Sequence, residues 1–190
     1  FPETIISVDT YRSEVAKMAI HAGATIINDI SGGNLDPMMF EMVGKHQAAY
    51  ILMHMKGKPS NMQLHTDYQD IITDLLKYFV NKLGELHHSG VRDVVIDPGF
   101  GFSKTMEQNY RIIQELGSFR FLDCPIMVGI SRKSTLSKTI DRPVEETLSA
   151  TTALHMVALQ NGASILRVHD VRPAMDAIAV YTKLTEVKNH

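Results

Sequence analysis

Short apolar runs punctuate the chain, and each gives way to polar residues. Ile5-Ile6-Ser7-Val8 leads into Asp9-Thr10, Thr25-Ile26-Ile27 into Asn28-Asp29, and Tyr50-Ile51-Leu52-Met53 into His54. Val94-Val95-Ile96 precedes Asp97-Pro98-Gly99, Ile126-Met127-Val128-Gly129-Ile130 precedes Ser131-Arg132-Lys133, and Ile165-Leu166-Arg167-Val168 precedes His169-Asp170. Runs this short, rich in Ile and Val, predict strands buried on both faces, as in a parallel sheet. The segments between them have helical spacing. From Tyr68 to Leu86, Ile71, Ile72, Leu75, Leu76, Phe79, Leu83 and Leu86 form one stripe opposite a face of Asp, Lys and Glu. Pro143-Val144-Glu145-Glu146 reads as a helix start, with Pro in the first turn and two acids complementing the dipole. Ala22-Gly23-Ala24, Ser89-Gly90-Val91 and Asn161-Gly162-Ala163 place glycine where a helix ends before a strand.

Strand alternating with helix implies a parallel sheet with right-handed crossovers, either doubly wound or closed into a (β/α)8 barrel. Six strands are legible, whereas a barrel needs eight and about 250 residues. The 190 residues therefore suit one domain, 1–190, that would be a barrel lacking its first two βα units. With 44% hydrophobic and 21% charged residues the chain is globular rather than disordered. A formal charge of −2 leaves no electrostatic footprint for nucleic acid. Cys124 stands alone and can form no internal disulfide. No apolar run approaches the roughly 18 residues of a membrane span, and no basic-then-apolar leader is present. A cytoplasmic protein without membrane or nucleic-acid partners is expected.

In either architecture ligands bind at the C-terminal ends of the strands. Asp9, Asn28, His54, Asp97, Lys133, Arg167 and His169 all fall there. One such residue is an ordinary helix cap; a succession of them argues for a site. Asp9 and Asp97 can accept paired N–H donors from a planar heterocycle, and Asn28 offers donor and acceptor together. In Asp97-Pro98-Gly99-Phe100-Gly101-Phe102 the glycines let backbone approach a ligand and the Phe rings could stack on it. Ser131-Arg132-Lys133-Ser134 leaves a strand and enters a helix, suiting an anion. Arg167 and His169 alternate along the last run and would share one side as an anion clamp. His54 reads as a core-edge histidine rather than a metal ligand, the eleven Met as packing, and Cys124 lacks a neighbouring base.

Ser7-Val8-Asp9-Thr10, Ile27-Asn28-Asp29-Ile30, Leu52-Met53-His54-Met55-Lys56-Gly57, Asp97 to Phe102, Ser131 to Ser134 and Arg167-Val168-His169-Asp170 together resemble the dihydropteroate synthase family, in that family's order and across the whole chain. The resemblance implies a (β/α)8 barrel represented by strands three to eight, and a folate-biosynthesis transferase that is a sulfonamide target. Such an enzyme condenses hydroxymethyl-dihydropterin pyrophosphate with p-aminobenzoate. It also implies a pterin pocket of Asp9, Asn28, Ile30, Met53, Asp97, Phe102, Gly129, Lys133 and Arg167. The p-aminobenzoate site would comprise Lys133, Ser134 and Phe102, and the catalytic set Lys133, Arg167 and His169. Mg2+ is implied as cofactor, but the family's ligand, an Asn on its first strand, has no counterpart here, nor has its Ser-Arg-Pro loop. A homodimer is expected, with the helix from Pro143 to Asn161 as candidate interface. Rival readings are a methyltetrahydrofolate-binding methyltransferase domain and a non-catalytic pterin-binding fragment.

Overall fold

In the computed structural model, which describes residues 3–188, the apolar runs become six parallel strands. These are β1 (Ser7–Asp9), β2 (Ile26–Asp29), β3 (Ala49–Met53), β4 (Val94–Asp97), β5 (Met127–Val128) and β6 (Ile165–Leu166). β1 to β4 pair in sequence, β5 pairs with β6, and a parallel bridge between Ile96 and Ile126 joins the two groups. Spatial order therefore follows chain order. A doubly wound sheet reverses its order at a switch point, so this is a partial (β/α)8 barrel, open between β6 and β1.

Helices α1 (Ser13–His21), α2 (Met39–His46), α3 (Ile71–His88), α4 (Met106–Gln114), α5 (Ser134–Ile140), α6 (Leu148–Gln160) and α7 (Val171–Lys188) follow the strands in turn or fill the connections. Local chemistry sets their ends. The Asp70 carboxylate accepts from Thr73 N at the start of α3, and Thr105 and Gln108 form a reciprocal capping box on α4. Gly23, Gly90 and Gly162 take positive φ just past α1, α3 and α6, as their positions predict. None of the described helices is long and apolar enough to cross a membrane.

The period of two in each strand divides the molecule into an outer and an inner layer. Ile27, Tyr50, Leu52, Ile96 and Val128 face outward and pack with Ala16, Val43, Leu75, Phe79, Leu86 and Ile112 from the helices. Ser7, Asp9, Ile26, Asn28, Ile51, Val95 and Met127 face inward onto a cavity of about 600 Å³. That cavity is the barrel interior.

Two expectations need correction. β1 and β6 are partly exposed rather than buried on both faces, because they flank the opening. The helix expected from Pro143 begins instead at Leu148. Val144–Glu146 is a 3-10 turn in which Thr147 N donates to Val144 O, and the first α-type bond is Thr151 N to Thr147 O.

Candidate active site

Asp9 closes β1 and lies in register with Asn28 on β2. Asn28 Nδ2 donates to Asp9 Oδ1 at 2.8 Å, which fixes the amide's orientation. Asn28 Oδ1 is left buried without a hydrogen-bond partner. An orphaned acceptor costs about 1–3 kcal/mol, a cost that an N–H donor entering the cavity would relieve. The second oxygen of Asp9 takes the guanidinium of Arg167, so Asp9 bridges Asn28 to the far side of the opening.

Asp97 ends β4 beside Met53 and is buried, its Oδ1 accepting from Gly99 N at 2.7 Å. Burial pushes its carboxyl above the ordinary aspartate value, while Lys133, the Gly99 amide, Lys104 and Arg167 pull the other way. Lys133, at the end of the β5–α5 connection, donates to Phe100 O, and its Nζ lies 4.5 Å from the Phe102 ring centroid. Burial lowers its ammonium to about 8 against the opposing pull of Asp97. The lysine stem needs the glycine at 101: a Cβ there would sit 2.8 Å from Lys133 Cδ. At Gly129 a Cβ would lie 4.0 Å from both Arg167 Cβ and Lys133 Nζ, so this glycine sits beside both residues.

Of the expected ring-stacking pair only Phe102 is available. Phe100 is fully buried in the outer core, where its apolar area is best spent. Arg167 and His169 are not on the last strand, since β6 ends at Leu166. Arg167 N still donates to Val128 O at 2.9 Å, which extends the ladder by one bond, and both residues line the cavity as expected. His169 Nδ1 lies 3.1 Å from Ser131 Oγ. Arg132 is no free cation: it is bidentate to Asp170, with both bonds at 2.8 Å. Ser134 is the exposed first residue of α5, whose N-cap is Lys133. Ile30 lines an adjoining cavity of about 360 Å³ that shares Asp9 and Asn28. Met53 is buried beside Asp97.

His54 is buried, with Lys104 Nζ 3.1 Å from its Nδ1 and the Tyr78 ring against it. Burial and the charges of Lys104 and Lys56 hold it well below the usual histidine range, so it is a neutral packing group. Burial likewise pushes the Cys124 thiol up, against a nucleophilic role. Among the described residues no three His, Cys, Asp or Glu side chains converge as a metal site. No such cluster offers Mg2+ an all-protein carboxylate cage among these residues.

Two buried charged residues escape a sequence reading. Asp29 faces outward from β2 and accepts from Tyr50 Oη, Ser31 N and Gly33 N at 2.7, 2.8 and 3.0 Å. Lys104 lies behind the Asp97–Phe102 loop. Its one signal is a lysine two residues after a glycine-aromatic loop, a pattern that an exposed residue would share.

Residues 1–169 match the family model described as "Pterin binding enzyme". The chain is 42% identical over 169 residues to a dihydropteroate synthase of Synechocystis sp., covering 87% of this chain and 58% of that protein. It is 38% identical over 180 residues to a bifunctional dihydropteroate synthase/dihydropteroate reductase of Helicobacter pylori, covering 95% and 47%. The chain thus spans about half to three-fifths of the length of these relatives. The solved dihydropteroate synthase of Thermus thermophilus, described as in complex with 6HMPPP, superposes with a TM-score of 0.92 at 33% identity, over 96% of this chain and 73% of that one.

Proposed function

This chain belongs to the pterin-binding enzyme family, and from that premise we propose that it carries the substrate-binding face of a dihydropteroate synthase. The observation that carries the reading is the set of polar groups at the strand ends: the Asp9–Asn28 pair with its orphaned Asn28 Oδ1, and the buried Asp97. A pterin edge alternates N–H and N, so it can donate to Asn28 Oδ1 and to the Asp97 carboxylate. Lys133 supplies a donor for the ring carbonyl, and Phe102 an apolar face beside it.

The reaction breaks the bond between the pterin methylene and the bridging oxygen of pyrophosphate, which departs with the electron pair. The arylamine nitrogen forms the new bond to that carbon and loses a proton to solvent. Because the electron-rich ring stabilises a cationic methylene, the protein must orient the ring, hold leaving-group charge and aim a weak nucleophile. Arg167 and His169 are assigned to the leaving group, Asp97 and Asn28 to the ring. Lys133 and the exposed Ser134 at the start of α5 are assigned to the p-aminobenzoate side. No step is routed through a metal.

The test is pyrophosphate release from the pterin pyrophosphate, with capture of labelled p-aminobenzoate as dihydropteroate. Release that depends on p-aminobenzoate is expected. Pterin binding with no release, even after the family's N-terminal segment is added back, would overturn the reading, and methyl transfer from methyltetrahydrofolate would replace it. Within this scheme Arg167→Ala lowers kcat/KM by roughly 10²–10³, the loss typical of a removed charge-stabilising donor, and changes pterin affinity far less. Equal losses in both would count against the assignment.

A further inference from the structure

Lys104 is buried to 3% exposure, does not line the barrel cavity, and has no part in the reaction scheme. Its Nζ lies 2.9 Å from Phe102 O, 3.1 Å from His54 Nδ1 and 3.4 Å from His54 O, so all three ammonium donors have acceptors. These contacts fasten the loop after β4 to the end of β3. The fit is close: Gly99 has φ +72, and a Cβ on it would collide with His54 O and lie 3.3 Å from Lys104 Nζ. Lys133 grips the same loop through Phe100 O, so two carbonyls of the loop are held by two lysines.

A buried ammonium is costly, and a methionine would fill the same space without that cost. The charge therefore calls for a function. Asp97 is the carboxylate acting on it, while Lys56, Lys133 and the neutral His54 are the other titratable groups around it. Arg167 and Lys133 also act on Asp97. Burial brings Lys104 down to about 7, with Asp97 opposing that fall.

We infer that Lys104 is a positioning residue of the pterin site: its ammonium ties the Asp97–Phe102 loop to the end of β3 and sets a further positive charge near the Asp97 carboxylate, beside the Gly99 amide that Asp97 accepts from. The inference rests on the pterin reading above and adds to it a residue that touches no substrate. Losing this charge makes protonation of Asp97 easier, and a protonated carboxyl is a poorer acceptor for ring N–H groups.

The test uses Lys104→Met, which removes charge and donors, and Lys104→Gln, which keeps an N–H for Phe102 O but no charge. Carbon-13 NMR titration of the Asp97 carboxyl in the ligand-free chain is expected to move up by about one pH unit in both variants, the scale of a nearby opposite charge. Calorimetry with 6-hydroxymethylpterin is expected to show the acid limb of binding displaced by a similar amount, with Gln losing less affinity than Met at pH 8. An unmoved Asp97 titration in both variants overturns the inference, and so does a loss of affinity that is the same at every pH. If the parent chain binds no pterin while Asp97 still moves in the variants, the pterin reading fails and the charge coupling stands.

Discussion

Charged groups in a nearly dry interior persist where each has partners, and here the partners define the chemistry. Asp97, Lys133 and Lys104 form one electrostatic unit, whereas Asp29 is a separate structural tie outside the barrel. Both lysines titrate far below the ordinary 10.5, at about 8 and about 7. From about pH 7 to 10 the folded chain therefore binds fewer protons at these sites than the unfolded chain. Their contribution to stability then rises with pH through that window. Urea unfolding at pH 7 and pH 9 should show this slope in the parent protein and a flatter one in Lys104→Met. Asp29→Ala strands the Tyr50 hydroxyl and two backbone amides, and should cost about 3 kcal/mol or more in the same assay. Asp9, Asn28, Asp97, Lys133, Arg167 and His169 were readable because they follow apolar runs. Asp29 follows such a run too, but nothing in the letters says that it faces outward to Tyr50; Lys104 was not readable, since a lone charged letter is the same in a core as at a surface.

At the scale of the element, periodicity placed all six strands and the long α3, and local capping explains where α3 and α4 begin. Thr105→Ala removes one half of the α4 capping box and should lower stability by about 1 kcal/mol in thermal or urea unfolding. The box lies directly after Lys104, so the same variant should loosen the loop before it. Strand lengths were less legible. The apolar run from Ile126 to Ile130 contributes only Met127 and Val128 to β5, because β6 offers only two residues for pairing. In the α6 region, Pro and two Glu mimic a first helical turn, but the chain closes a 3-10 turn before the helix proper.

For the whole molecule the decisive feature is the opening between β6 and β1. Arg167 and Asp9 span it as an ion pair with both side chains about half exposed, at 50% and 49%. An exposed pair of this kind is worth about 0–1 kcal/mol. Arg167→Ala should therefore leave the unfolding midpoint nearly unchanged while damaging turnover, so a catalytic loss in that variant is not a folding loss. The edge strands border solvent, and Ile5 beside β1 is 72% exposed. Backbone amides of β1 and β6 should exchange with deuterium faster than those of β2 and β3, which are paired on both sides. Equal protection across all six strands would contradict an open barrel edge.

The order of strands and helices, the parallel class and the polar residues at the strand ends follow from the sequence, because periodicity and local capping act over a few residues and leave their mark on neighbouring letters. The choice of an open barrel over a doubly wound sheet was decided by the lateral pairing of strands, which joins residues dozens of positions apart. Tertiary packing also made Asn28 Oδ1 an orphaned acceptor, turned Phe100 into the core while leaving Phe102 at the site, and brought the Lys104 ammonium within electrostatic reach of Asp97. Burial and charge proximity are properties of the assembled fold, and no spacing along the chain encodes them.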